Sequence, residues 1–455
     1  MSNIEKLLEG VEVEWKTLGE IGRFYGGITG KSKDDFTDGN AKFVTYKNVY
    51  ANPALKLNVK EKVKIGDKEK QYTLQYSDII FTGSSETPDE CGLSSVVTEK
   101  TDEKLYLNSF CFFLRLKDTN TIFPDFAKHL FRSNNLRKQI SKTASGVTRF
   151  NVSKKLMEKV SIPIPPLEIQ KEIVRILDKF STLTAELQAE LQARKSQYEY
   201  YRNQLLTYPM EESDQPSLRP SRSATSIQSS DNPTQPLSTS NPHTSNSVLQ
   251  PRGKVEWKTL EEIFNLKNGY TPSKSNQEYW ENGTIPWFRM EDIRENGRVL
   301  NKSIQYVNSC AIKGGKLFPA NSIIVATSAT IGEHALITVP FLSNQRFTNL
   351  SLKREYDDKF IIKFLFYYGF VLDEWCKNNI TIGNFAGVDM IEFKKFLIPI
   401  PPLEEQERIV SILDKFETLT TSITEGLPKE IELRQKQYEY YRDRLLSFPK
   451  NNIKV

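Results

Sequence analysis

Ile162-Pro163-Ile164-Pro165-Pro166-Leu167-Glu168, then Gln170, Ile173-Val174 and Ile176-Leu177-Asp178-Lys179-Phe180, opens a passage that ends on Gln197-Tyr198-Glu199-Tyr200-Tyr201-Arg202 and Leu205-Leu206. The same passage returns as Ile398-Pro399-Ile400-Pro401-Pro402-Leu403-Glu404, then Gln406, Ile409-Val410 and Ile412-Leu413-Asp414-Lys415-Phe416, ending on Gln437-Tyr438-Glu439-Tyr440-Tyr441-Arg442 and Leu445-Leu446. A shorter repeat precedes each copy, Val13-Glu14-Trp15-Lys16-Thr17-Leu18 and Val255-Glu256-Trp257-Lys258-Thr259-Leu260. The stretches between these signposts are unlike each other. Two divergent globular units on two matching rods suit the reading of two different things at a set distance.

The physical character of the repeat follows from its residues. Proline fixes φ and drives the preceding residue out of the helical region, so Ile-Pro-Ile-Pro-Pro is extended. The last proline suits a first helical turn, with Glu168 and Glu404 favouring the N-terminal end of the dipole. Ile173, Leu177, Phe180, Thr184, Leu187, Leu191, Arg194, Tyr198, Tyr201 and Leu205 then recur at alternating spacings of four and three. That is a heptad seam about forty residues long, roughly 60 Å of helix, stopped by Tyr208-Pro209. The second copy has Ile409, Leu413, Phe416, Thr420, Ile423 and Leu427, then Arg434, Tyr438, Tyr441 and Leu445. It carries four extra residues near Glu425-Gly426-Leu427-Pro428, a stutter that Gly426 and Pro428 turn into a kink or break. At the matching place the first copy is a tandem tetrapeptide, Ala185-Glu186-Leu187-Gln188 and Ala189-Glu190-Leu191-Gln192. Both rods look length-variable at one point, and they pack most simply antiparallel, with approximate twofold symmetry.

The chain has 455 residues, 38% hydrophobic and 26% charged, too many for one core. Its net charge of +5 is compatible with nucleic acid without being diagnostic of it. Cys91, Cys111, Cys310 and Cys376 form no CxxC pair, so no zinc site or disulfide framework is expected, and a reducing cytoplasm fits. The N-terminus lacks the apolar stretch of a signal peptide, and Phe360 to Leu372 reads as a core helix. Ser, Pro, Thr, Asn and Gln dominate residues 211 to 252, a flexible linker. The units on either side read as mixed α/β. Strands are expected at Ala41–Tyr46, Asp78–Thr82, Leu93–Thr98 and Phe110–Leu116, and again at Ser322–Thr327, Ala335–Val339 and Phe347–Leu352. Helices are expected at Asp125–Ser141 and Asp357–Cys376. Asp78-Ile79-Ile80-Phe81-Thr82-Gly83-Ser84 lines up with Ser322-Ile323-Ile324-Val325-Ala326-Thr327-Ser328.

On the two repeated boxes in this order, the chain resembles the specificity (S) subunit of type I restriction-modification systems over nearly its whole length outside the linker. Trp-Lys-Thr-Leu followed by a Gly-containing loop is similar to the start of a target recognition domain. Ile-Pro-Ile-Pro-Pro-Leu-Glu followed by Gln is similar to the exit into the spacer helix. The resemblance implies an α/β (α+β) protein with two mixed α/β target recognition domains and two long helices packed as an antiparallel coiled coil. It places recognition domains at 1–160 and 253–397, spacer helices at 161–209 and 398–449, and the linker at 210–252. It implies a non-catalytic subunit that binds double-stranded DNA at a bipartite site. The expected partners are two modification (methyltransferase) subunits and two restriction (motor-nuclease) subunits, which would hold S-adenosylmethionine, ATP and magnesium.

The residues themselves agree that this chain lacks catalytic machinery. It has no Gly-rich cofactor loop followed by an Asn/Asp-Pro-Pro-aromatic box, and no Walker A motif. His129, His243 and His334 are too few for a histidine-based metal cluster or triad. Pro88-Asp89 with Asp102-Glu103-Lys104 has the outline of a PD…(D/E)xK nuclease site, a short pattern that is common by chance. DNA reading needs Arg, Asn, Gln and Lys on loops beside phosphate-binding donors, with glycine allowing close backbone approach. In the first unit the candidates are Tyr25, Gly27, Thr29, Lys31, Tyr46, Lys47, Ser84, Arg149 and Asn151. In the second they are Lys267, Asn268, Tyr270, Thr271, Ser273, Lys274, Arg289, Thr327, Ser328, Gln345 and Arg346. Arg149 and Arg346 are the foremost candidates for base contacts. The lysine-rich stretch Lys56 to Lys70 also holds Glu61, Asp67 and Glu69 and reads as a solvated hairpin. A coiled-coil adaptor with protein-binding globular units is the alternative reading.

Overall fold

The computed structural model describes residues 7–209, 255–382, 386–422 and 424–449. The linker and Ile423 of the seam lie outside the described residues. The chain forms two compact units, Met1–Glu190 with Leu427–Val455, and Leu191–Gly426. Each long helix therefore gives its N-terminal part to one unit and its C-terminal part to the other.

The two repeated boxes turn out to be partners. In the first unit Glu14–Thr17 pairs antiparallel with Ser161–Ile164, setting Trp15 opposite Pro163. In the second, Glu256–Thr259 pairs with Leu397–Ile400, setting Trp257 opposite Pro399. Each forms a two-stranded sheet, where a strand lacking proline N–H groups still pairs along its one remaining donor edge. A short helix follows each opening strand, capped by Thr17 with Glu20 and by Thr259 with Glu262.

The first unit has a four-stranded sheet in the order Gly22–Gly26, Cys111–Leu116, Ile79–Thr82, Ser94–Val96, with every neighbour antiparallel. A second sheet orders Lys62–Val63, Ala41–Val44 and Tyr106–Leu107. The hairpin Ala144–Ser145 and Phe150–Val152 adds Ser84–Ser85 on its open edge. The second unit repeats this plan. Phe264–Asn268, Phe347–Leu352, Ser322–Ala326, His334–Ile337 and Val299–Leu300 form its main sheet. Tyr306–Val307, Ile285–Phe288 and Leu342–Ser343 form the second sheet, and Ile380–Ile382 with Ala386–Val388 the hairpin.

Several expectations need correcting. The strand expected at Ala41–Tyr46 stops at Val44, because Thr45 caps a helix over Tyr46–Ala51 with its hydroxyl accepting from Asn48 N–H. Asp125–Ser141 is two helices, Pro124–Leu130 and Asn134–Ser141. Between them Arg132 binds the carbonyls of Ser94, Val49 and Tyr50. The helix expected from Asp357 starts at Ile362 and runs to Asn378, buried along most of its length. Lys56 to Lys70 is no hairpin: Lys62–Val63 joins the Ala41–Val44 strand, and a turn from Gly66 brings Glu69 to Lys31. The last proline lies outside the helical turn. Pro402 has φ −51° and ψ 146°, and its carbonyl accepts the N–H groups of Glu405 and Gln406.

The first long helix runs unbroken over Leu167–Leu206, 40 residues. The second is interrupted, Leu403–Thr421 and Leu427–Leu445, with Gly426 at φ +84° in the break. Seam residues are buried or half-buried, and the helices run antiparallel within each unit. In the first unit Phe180 stacks on Tyr441 at 5.2 Å, while Ile173 and Leu177 share a core with Leu445 and Leu446. In the second Tyr198 and Tyr201 meet Phe416, while Leu205 and Leu206 share a core with Ile409 and Leu413.

Polar residues of the repeat fasten each long helix to the globular domain that precedes it. Gln170 Oε1 accepts from Phe123 N–H at 2.8 Å, and its amide donates to the carbonyls of Pro165 and Thr121. Gln406 accepts from Ile361 N–H and donates to Pro401 and Lys359. Asp178 accepts from His129 Nε2–H at 2.7 Å and from Lys128, and Asp414 accepts from Tyr367 Oη–H at 2.6 Å and from Lys363. The Tyr438 hydroxyl donates to His129 Nδ1 at 2.9 Å, completing a buried chain.

Burial pushes the His129 imidazole below its ordinary value. Burial would raise Asp178, but hydrogen bonds from His129 and Lys128 outweigh it and leave the carboxyl below its usual range. The pair is thus a neutral imidazole donating to a carboxylate. A histidine whose folded pKa is depressed contributes stability that is fully present above its unfolded value, about 6.5, and is lost as pH falls from there through the lower folded value. We predict that the thermal midpoint of the first unit falls between pH 7.5 and 5.5, and that His129→Gln flattens this decline. Equal slopes for the two proteins in calorimetry would refute the assignment.

Candidate nucleic-acid interface

Loops of the two globular domains share a hydrogen-bond framework. In the first unit Gly27 N–H donates to Cys111 O, Ile28 to Leu107, Asn108 to Val44, Cys111 to Asn108, Gly83 to Phe110 and Val152 to Gly83. In the second Gly269 donates to Phe347, Tyr270 to Ser343, Asn344 to Phe288, Phe347 to Asn344, Thr327 to Arg346 and Val388 to Thr327. Asn108 Oδ1 takes the Phe110 N–H at 2.8 Å, and Asn344 Oδ1 takes the Arg346 N–H at 3.0 Å. Gly83 and Thr327 thus stand at one position, as do Phe110 and Arg346. The backbone frame is shared, and the side chains hung on it are not.

Glycine has a specific task in this frame. A Cβ at Gly27 would lie 2.1 Å from Asn108 O, and one at Gly269 would lie 2.4 Å from Asn344 O. Both glycines make room for the crossing loop of the protein itself.

In the first unit the frame borders a cavity of about 470 Å³ lined by Tyr46, Tyr50, Ser84, Ser85, Glu86, Glu90, Phe110, Thr148 and Arg149. Arg149 Nε donates to Ser84 Oγ at 3.2 Å, and its guanidinium sits 5.5 Å above the Phe110 ring. Tyr46 donates to the Ser84 carbonyl. Glu90 accepts from Tyr50 and Ser85, and the hydrogen bond from Tyr50 leads in holding its carboxyl below the usual range.

In the second unit the corresponding cavity is about 710 Å³, lined by Thr271, Lys274, Gln277, Trp280, Glu281, Trp287, Arg289, Met290, Glu291, Gln305, Asn344, Gln345, Arg346 and Phe347. Trp280 and Trp287 meet edge-on at 5.1 Å, and the Arg289 guanidinium lies 5.6 Å from the Trp287 ring. Arg289 Nε is buried without a hydrogen bond. Arg289 N–H donates to Asp292, whose other oxygen accepts from Ile304; burial raises this carboxyl.

Of the residues expected from the sequence, the structure gathers Tyr46, Ser84 and Arg149 in one cavity and Thr271, Lys274, Arg289, Gln345 and Arg346 in the other. Lys47 and Asn151 are exposed on neighbouring elements. The others lie outside both cavities and make contacts within the chain. Tyr25 stacks on Phe113 beneath Arg115, Thr29 is clasped by Gln71, and Lys31 is bound to Glu69. The Lys267 backbone carbonyl accepts from Asn349, and Asn268 Oδ1 accepts from the Thr348 hydroxyl. Tyr270 donates to Ala311 O, Ser273 pairs with Ser275, Thr327 with Thr348, and Ser328 bridges to Gly387. Sequence reading missed Phe110 and Trp280 with Trp287. Two tryptophans within eight residues of a loop-rich segment was a signal available for the latter pair.

The nuclease outline finds no support. Glu103 is held by Lys42, and the Asp89 carbonyl accepts from Arg137. Among the described residues no group of three or more His, Cys, Asp or Glu is placed to hold a metal, and no helix is long and apolar enough to cross a membrane.

Residues 10–194 and 253–433 each match the family described as "Type I restriction modification DNA specificity domain". The chain is 37% identical over 474 residues to the Escherichia coli type I restriction enzyme EcoR124I/EcoR124II specificity subunit, covering 99% of this chain and 98% of that one. It is 61% identical over 207 residues to the Escherichia coli EcoprrI specificity subunit, covering 44% of this chain and 52% of that relative. Among solved structures, a chain from a study of type I restriction-modification complex assembly superposes with TM-score 0.61 at 17% identity, over 96% of this chain and 98% of that one, a likeness of fold. With the family matched in both halves and a relative aligned end to end, this chain belongs to the DNA specificity subunits of type I restriction-modification systems.

Proposed function

We propose that the chain reads a split, asymmetric DNA site, one half with each recognition domain. The observation that carries this is the shared loop frame bearing unlike side chains: one mode of engagement, two different readouts. Arg149 on Ser84 and Phe110, and Arg289, Gln345 and Arg346 around the second cavity, supply donors of the kind that bind base edges. Lys47, Lys274 and Asn151, all exposed, supply donors suited to the DNA backbone. Two modification subunits dock on the paired helices, and two motor-nuclease subunits join through them. S-adenosylmethionine, ATP and magnesium belong to those partners, and the complex works in the cytoplasm.

The readings separate by salt. For a DNA reader, log affinity for duplex DNA falls steeply with log salt, because phosphate contacts release counterions. A flat response in the assembled complex would favour the protein-binding adaptor.

Methylome sequencing of cells expressing the chain with its modification subunit tests the proposal directly. A bipartite motif that vanishes with the chain is expected; no motif would count against the proposal. Deleting Ala189-Glu190-Leu191-Gln192 shortens one helix by about 6 Å, near two base-pair rises, and is predicted to alter the gap while sparing both half-sites. An unchanged gap would sink this ruler. Arg149→Ala and Arg346→Ala should each cost about 1–3 kcal/mol of discrimination in one half-site only. Equal relaxation of both halves in the methylation map would contradict the division between units.

A further inference from the structure

Phe110 stands where the second unit carries Arg346, on the same turn of the same frame. The residue is 56% exposed. Singly exposed apolar residues are ordinary on protein surfaces, so exposure alone argues nothing. The construction around the ring says more. Asn108 Oδ1 takes the Phe110 N–H at 2.8 Å, and Gly83 N–H donates to the Phe110 carbonyl at 2.7 Å. A Cβ at Gly83 would lie 2.7 Å from that carbonyl, so the neighbouring loop is bare at the point where it grips the turn. Arg149 reaches across from the hairpin tip, its guanidinium 5.5 Å from the ring and its Nε bonded to Ser84. The backbone of Phe110 is thus fixed at both its N–H and its carbonyl, and the Arg149 guanidinium lies over its ring, at the lining of the cavity.

The cavity also carries the carboxylates of Glu86 and Glu90, which would repel phosphate. A phenyl group offers phosphate nothing. Both features turn this corner of the first unit toward base edges, where the one apolar feature in the major groove is the thymine 5-methyl group.

We propose that Phe110 is a specificity-determining residue of the first recognition domain, contacting the methyl group of a thymine in its half-site. This rests on the reading that the first unit engages one half of a split DNA site.

The test uses the chain assembled with its modification subunits, and duplexes in which each thymine of that half-site is replaced in turn by deoxyuridine. This exchange removes only the methyl group. One replacement should weaken binding by the wild-type complex about fourfold, the equivalent of one buried methyl. The Phe110→Ala complex should show a loss of that size on natural DNA and no further loss on the substituted duplex. A melting temperature of the Phe110→Ala complex equal to that of the wild-type complex shows that the variant is folded. Indifference of the wild-type complex to every replacement would overturn the inference, as would a variant that keeps the full penalty. Loss of sequence-specific binding by the wild-type complex on natural DNA would overturn the underlying reading instead.

Discussion

One buried amide solves the problem created where each recognition domain passes into its long helix. The closing strand is rich in proline and short of donors, and it runs straight into a helix. Nearby, the recognition-domain helix begins at Pro124 or Ile362 with its own N-terminal groups in the interior. Buried backbone groups left without partners are costly, and a carboxamide can both accept and donate. Gln170 and Gln406, 1% and 0% exposed, each satisfy one N–H and two carbonyls at this junction. Eight residues on, Asp178 and Asp414 bind the same recognition-domain helix again. Two polar contacts two turns apart fix both position and direction, so the helix leaves its domain along one path.

The far ends of the helices are fastened differently. Leu205, Leu206 and Tyr208 are buried in the core of the second unit, where Tyr208 meets Trp257 edge-on. Leu445, Leu446 and Phe448 are buried in the core of the first, where Trp15 Nε1–H donates to Pro449 O at 3.4 Å. Each recognition domain is therefore completed by the end of the helix that leaves the other. The division between units falls after Glu190 and after Gly426, inside the tandem tetrapeptide and at the helix break.

Diversity of readout follows from a similar separation. The loops at the candidate interface are built by backbone hydrogen bonds, by one asparagine side chain and by glycines that a crossing strand requires. None of these dictates the side chain at the turn. Phenylalanine stands there in one unit and arginine in the other, and the surrounding cavity changes with it, acidic in the first and lined by two tryptophans in the second. A frame of this kind tolerates substitution where DNA would be met.

The helices, their seam, the break at Gly426 and the residue-by-residue match of Asp78–Ser84 with Ser322–Ser328 were legible in the sequence, because each depends on local rules. Helical spacing, proline and glycine act within a few residues. The sequence did not disclose that the Trp-Lys-Thr strand and the Ile-Pro-Ile strand pair with each other, that Gln170 and Asp178 are fasteners, or that His129 meets Tyr438 across 309 positions. Those contacts join segments far apart in the chain, and no periodicity encodes them. The interface was read only in part for the same reason. Residue type separates Lys31 from Lys274 not at all; what does is Glu69, brought to Lys31 by a turn some forty residues away. Composition nominates donors, and tertiary packing decides which of them are already spent inside the protein and which remain to meet DNA.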